Sequence, residues 1–204
     1  MGFDFLLFKN ICMSTLPTEE QALHEKGRKL LLWLGIASMV MAFAGLTSGY
    51  IVRRGGEGWM HFDLPRMFFI STAIILLSSV SMNIALSSVK KDDLKKIKKA
   101  LAITLLLGLA FVFCQFAAWK ELTSQHIFFT GKDSNASGSF LYVLSGLHLA
   151  HLFGGLIVLT VTLIKVLQKK YSSENLLGLK LAAIYWHFLD VLWVYLFLFL
   201  YFIR

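Results

Sequence analysis

Five long apolar runs, at about residues 30–52, 67–89, 100–119, 140–164 and 181–203, leave this chain few folds to choose from. Each has the ~20 residues a helix needs to cross the hydrocarbon core of a bilayer. Lipid offers the backbone no hydrogen-bond partner, so only helices and closed barrels can span it. A barrel strand would alternate apolar and polar residues over about ten positions. These runs do not alternate, and the whole chain has only 2 prolines, which suits uninterrupted helices. The expected fold is an all-α membrane protein. A bundle of five transmembrane helices occupies residues 29–204, behind a short tail at 1–28. The apolar stretch at 1–8 is too short for a span or a signal-peptide core.

Charge orients the helices. One set of alternate connections carries Lys9, Lys26, Arg28 and Lys29, then Lys90, Lys91, Lys95, Lys96, Lys98 and Lys99, then Lys165, Lys169, Lys170 and Lys180. The opposite side has only Arg53, Arg54, Arg66, Lys120, Lys132 and Arg204. Cytoplasmic loops carry the excess of Lys and Arg, so the amino terminus is expected in the cytoplasm and the carboxyl terminus in the periplasm. The same placement disposes of nucleic acid as the reason for a net charge of +8. The lysines sit beside span ends, where they act as insertion signals and contacts for anionic lipid. Cys12 lies in the polar tail and Cys114 inside an apolar run, which does not make a disulfide framework. No CxxC or CxxCH is present, so covalent haem attachment through that motif is excluded.

Inside the five runs there is one charged side chain, Asp190. A charge at the bilayer centre costs about 2.5–3.5 kcal/mol on insertion scales, so it is expected to face protein. At 100° per residue it shares a face with His187, Trp193 and Phe197, with Trp186 at the edge and Tyr185 nearby. The fourth run carries Ser145, His148, His151 and Gly155 along one stripe, with Gly146 and Gly154 beside it. Glycine there lets a neighbouring helix approach closely. The fourth and fifth runs are joined by a short loop, and a rise of about 1.5 Å per residue brings His151 and Asp190 within one turn in depth. A hydrogen-bonded pair between them is the expectation.

Three histidines and an aspartate also admit a metal or haem site. Against it, His148 and His151 lie on the same face and cannot clamp opposite sides of one haem. Interhelical hydrogen bonding, worth about 0.6 kcal/mol per bond in membranes, is the preferred reading. A self-contained proton path would need more than one acidic residue, and the first three runs offer only Ser, Thr, Tyr, Asn83 and Gln115. That points to a supporting subunit.

At these residues the chain resembles subunit III of the haem-copper oxidases. Its stretch from Phe140 through Ser145-Gly146-Leu147-His148-Leu149-Ala150-His151 to Gly154-Gly155 is similar to the family's F-x-x-x-T-G-x-H-G-x-H-x-x-x-G-x. Tyr185-Trp186-His187-Phe188-Leu189-Asp190-Val191-Leu192-Trp193 is similar to its Y-W-H-F-V-D-V-V-W. Weaker echoes extend the likeness over about residues 28–203, and five spans match the short bacterial form. Two positions depart from the pattern. The family usually has Ser-Glu where this chain has Ser38-Met39, and often Gln-x-x-Glu-Tyr where it has Gln115-Phe116-Ala117-Ala118-Trp119. With Met39 and Ala118 there, the chain lacks the carboxylates that a proton-linked role at those positions would need.

The resemblance implies a non-catalytic subunit of a bacterial inner-membrane oxidase that reduces dioxygen to water with proton pumping. Haem and copper belong to partner subunits, and none is expected on this chain. It would contact subunit I directly, with subunits II and IV in the same complex and a respiratory supercomplex beyond. It would hold structural phospholipid in a cleft between its first two helices and the rest, and support oxygen and proton supply. Cytochrome c oxidase is the first expectation. A quinol oxidase is the alternative, and a free-standing membrane cytochrome or metal carrier is the rival from another class. Asn135-Ala136-Ser137 has the form of a glycosylation acceptor, which carries no meaning in a bacterial cell.

Overall fold

The computed structural model describes residues 18–56, 59, 63–89, 93–131, 135–168 and 177–203. Five helices account for nearly all of them: α1 (Thr18–Arg54), α2 (Arg66–Val89), α3 (Leu94–Ser124), α4 (Ala136–Leu167) and α5 (Leu177–Ile203). Each is long and apolar enough to cross a membrane, and no strand occurs among the described residues. Cys12 and the cations at 9, 90, 91, 132, 169, 170 and 204 lie outside them.

The helices outrun the apolar runs that announced them. Helix α1 begins at Thr18, within the segment assigned to the tail, and α3 takes in the lysines at 95, 96, 98 and 99. Hydropathy marks what lies in lipid, whereas Lys, Glu, Arg and Leu are good helix formers and carry the helix on into water. Caps then stop it. Asp93 accepts from the Lys96 backbone N–H at 3.1 Å, closing the start of α3. Asn135 does the same for α4, its Oδ1 accepting from the Gly138 N–H at 3.1 Å and from the Ser137 hydroxyl. The Asn-Ala-Ser triplet is thus a helix cap.

The chain divides into two compact units, Met1–Met39 and Val40–Arg204. The described part of the first is a single helical stretch of α1. Leu30, Leu31, Trp33 and Leu34 stand exposed along it, as befits a helix whose solvent is lipid.

In the second unit α2, α3, α4 and α5 form a closed ring of contacts, α2 on α3, α3 on α4, α4 on α5 and α5 back on α2. Neighbours run antiparallel. Bonds from Trp193 to Thr72 and between His187 and Ser79 fix that register for α5 against α2. Small residues make the close approach possible. Ser71, Ser78, Ser81 and Ser88 are buried along α2, and Ser81 reaches across to the Ala100 carbonyl of α3 at 3.0 Å. Residues 40–54 of α1 meet α4 and α5 through long side chains. The Thr47 and Tyr195 hydroxyls lie 3.2 Å apart, and the Tyr50 ring packs edge-on against Phe140 and Phe199.

One expectation is corrected by this arrangement. A cleft separating the first two helices from the rest is not how α2 is placed, because its serine-lined face joins it to α3 and α5.

Candidate functional site

The polar residues singled out in α4 and α5 do converge on the interior of the second unit. On α4, Ser145, His148 and Gly155 are buried. On α5, Trp186, Asp190 and Trp193 are buried, while His187 and Tyr185 are half-buried. His148 and Trp186 are at 0% exposure. The periodicity argument therefore selects the correct faces.

Three tryptophans hook this core together. Each indole N–H donates to a hydroxyl on another helix: Trp193 to Thr72 at 3.1 Å, Trp186 to Ser78 at 2.7 Å and Trp119 to Ser145 at 3.0 Å. Gln115 adds a fourth cross-link, its amide donating to the Ser71 hydroxyl at 3.1 Å. The acceptors on α2 escaped the sequence reading. Their only signal was a set of serines recurring on one face of an otherwise apolar α2.

Glycines seat the rings. A Cβ on Gly155 would stand 3.0 Å from Leu189 Cδ1 and 3.3 Å from Trp186 Cε3. Gly108 is tighter, with Leu156 Cδ2 and Trp186 Cη2 both 2.8 Å from where its Cβ would be. Gly154 faces the Tyr185 hydroxyl at 3.6 Å, and Gly146 faces the Trp119 ring at 3.8 Å.

The expected pair between His151 and Asp190 is not formed. His151 Nδ1–H donates to the Leu147 carbonyl of its own helix at 2.7 Å, and its ring tilts against Phe43. Asp190 instead has His187 Nδ1 at 3.8 Å, on its own helix, and the Ser79 hydroxyl of α2 beside it. Counting along the helices placed the two residues at similar depth but could not place them around the axes. At that depth Trp186 and Leu189 fill the α4–α5 seam over Gly155, and Asp190 is rotated toward α2.

Ser79, His187 and Asp190 bring together the residue types of a hydrolytic triad. Both partners address the same ring nitrogen: Ser79 at 2.8 Å and Asp190 at 3.8 Å approach Nδ1. A relay needs the base to hold the nucleophile on one nitrogen and the carboxylate on the other. The cluster is a structural knot.

The imidazoles also face different surroundings. His148 lies between the Trp193 and Phe111 rings, at centroid distances of 5.1 and 5.9 Å. His151 serves its own backbone and His187 serves Ser79. Among the described residues no three His, Cys, Asp or Glu side chains gather into a group able to hold a metal ion.

Fold and core together define a multi-pass α-helical membrane protein whose buried polar groups pin helices to one another. The family model for cytochrome c oxidase subunit III matches residues 3–204, and the chain belongs to that family. It is 31% identical over 183 residues to cytochrome c oxidase subunit 3 of Alkalihalophilus pseudofirmus, covering 88% of each chain. It is 30% identical to a probable cytochrome c oxidase subunit 3 of Nocardia farcinica, covering 85% of this chain and 86% of that one. To the Bacillus sp. PS3 subunit 3 it is 28% identical, covering 89% and 88%.

Proposed function

We propose that this chain is the non-catalytic subunit III of a bacterial proton-translocating terminal oxidase, and that it binds no haem or copper itself. The carrying observation is the match to the subunit III family along nearly its whole length. The relatives' names favour a cytochrome c oxidase over the quinol-oxidase alternative. In the complex the chain lies in the inner membrane with its amino terminus in the cytoplasm, the orientation favoured by its lysine distribution. Subunit I is its direct partner, with subunits II and IV alongside and a supercomplex as the larger setting. Phospholipid fills the apolar faces that remain exposed, and the chain stabilises the catalytic subunit and supports its oxygen and proton supply.

The support from the core is physical. Its indoles, hydroxyls and glycines are committed to holding helices in register, and its three histidines are not disposed as a shared ligand set. A subunit whose core side chains hold its helices in register can brace a neighbour without chemistry of its own.

A reduced-minus-oxidised spectrum of the purified complex, beside one of this chain dissociated from it, tests the proposal. Haem bands belong to the complex alone. Asp190→Ala is expected to weaken retention of the chain while leaving the haem spectrum of the remaining complex unchanged. Stoichiometric haem or metal on the separated chain would instead establish the membrane-cytochrome reading.

A further inference from the structure

Inside the α2–α5 ring, Gln115 Oε1, both ring nitrogens of His148 and His187 Nε2 are buried and meet no hydrogen-bond partner, and the Asp190 oxygens have only the Ser79 hydroxyl beside them. They are grouped. The Trp193 ring packs on His148 and Phe111 and donates to Thr72. Gln115 lies one turn beyond Phe111 on α3 and bonds Ser71, next to Thr72. Gln115 therefore lies about one turn from the His148 level on one side, and Asp190 one turn of α5 from Trp193 on the other.

Around His148 and Gln115 the neighbouring donors are already committed. The indole N–H groups of Trp119, Trp186 and Trp193 are committed to Ser145, Ser78 and Thr72. The hydroxyls of Ser71, Thr72 and Ser145 donate in turn to backbone carbonyls, the first two to Phe68 and the third to Leu141. Gln115 Oε1 is an acceptor and the His148 ring offers at most a single N–H to serve it, whereas Asp190 has the Ser79 hydroxyl beside it. A headgroup or a partner subunit cannot reach in, because His148, Gln115 and Asp190 are at 0%, 1% and 2% exposure. What is required is a small neutral molecule carrying two donors and able to accept from His148.

We propose that the interior of this four-helix unit is a hydration site, with ordered water bound at the His148 ring. Buried waters typically make about three hydrogen bonds to otherwise unsatisfied groups, and these are such groups. The water completes the polar core that the tryptophan hooks begin, linking the α4 histidine to the α3 acceptor. Its presence depends on the interior chemistry alone and does not rest on the oxidase assignment.

A high-resolution cryo-electron microscopy map of the intact complex reads this directly. A solvent peak within hydrogen-bonding distance of a His148 nitrogen is the expected result. A well-resolved His148 with no such peak overturns the proposal. Two variants provide a second measurement. His148→Gln keeps a donor and an acceptor and is expected to retain the chain in detergent within about twofold of the parent half-life. His148→Phe keeps the ring and strands the water, shortening that half-life about tenfold, as for the loss of one buried hydrogen-bonded group. His148→Phe as durable as the parent would mean a dry site and sink the idea.

Discussion

Gly108→Ala is the sharpest test of how the core is packed. The new Cβ would stand 2.8 Å from Leu156 Cδ2 and 2.8 Å from Trp186 Cη2, with Trp186 Cζ2 at 3.2 Å. Carbon atoms settle at about 3.5–4.0 Å, so the neighbours must retreat by roughly 1 Å. The tip of Leu156 can turn aside. Trp186 cannot, because it is wholly buried, tied to Ser78 at 2.7 Å and seated over Gly155 on its other edge. Overpacking of this kind costs about 1–3 kcal/mol. Alanine's intrinsic helical preference over glycine offsets at most about 1 kcal/mol of that. Because Trp186 cannot yield, the upper part of that range, about 2–3 kcal/mol, applies, and the net expectation is a loss of about 1–2 kcal/mol, or roughly 5- to 30-fold in the folded-to-unfolded ratio. Thermal release of the chain from the purified complex measures it. The cause is isolated by a double-mutant cycle with Trp186→Phe, which removes the ring atoms that clash. A favourable coupling of about 1 kcal/mol is expected between the two changes. Strict additivity, or a Gly108→Ala variant as stable as the parent, would refute the packing argument.

Ser78→Ala removes the acceptor of a buried indole N–H and is expected to cost about 1–3 kcal/mol. A blue-shifted Trp186 resonance Raman hydrogen-bond marker would confirm the cause, and an unshifted marker would contradict it. At the start of α3, the Lys96 side chain and backbone hydrogen bonds hold the exposed Asp93 carboxyl below its usual range. A lowered folded-state pKa means that its capping contribution is present above the ordinary carboxylate value of 3.8 and is lost as pH falls through the folded one. Protection of the amides at residues 95–97, taken relative to their intrinsic exchange at each pH, should therefore fall on acidification below about pH 4 in the parent. It should change far less in Asp93→Asn, and equal acid sensitivity in the two would dismiss the cap.

The five helices were legible in advance because each transmembrane helix satisfies its own backbone, so its existence is a local property of twenty or so residues. The burial of Asp190, His148 and Ser145 was legible for a similar reason. Lipid penalises polar groups so heavily that helical periodicity alone names the inward face. The two signature stretches around His148 and Asp190 likewise announced the family, and the comparisons bear that out.

Which inward group meets which was a different matter. His151 and Asp190 looked like partners by depth, yet one bonds Leu147 and the other lies beside His187 and Ser79. The α2 serines entered the sequence reading only among the polar groups too few for a proton path, yet Ser78 and Ser71 are the acceptors that fasten α5 and α3. Pairing across helices depends on rotation and separation of their axes, and these are set by how Trp186 fits over Gly108 and Gly155. That fit is a property of three helices at once. The sequence by itself determined the helices and their polar faces, and only the tertiary structure decided their partners, because steric complementarity between distant segments leaves no local trace.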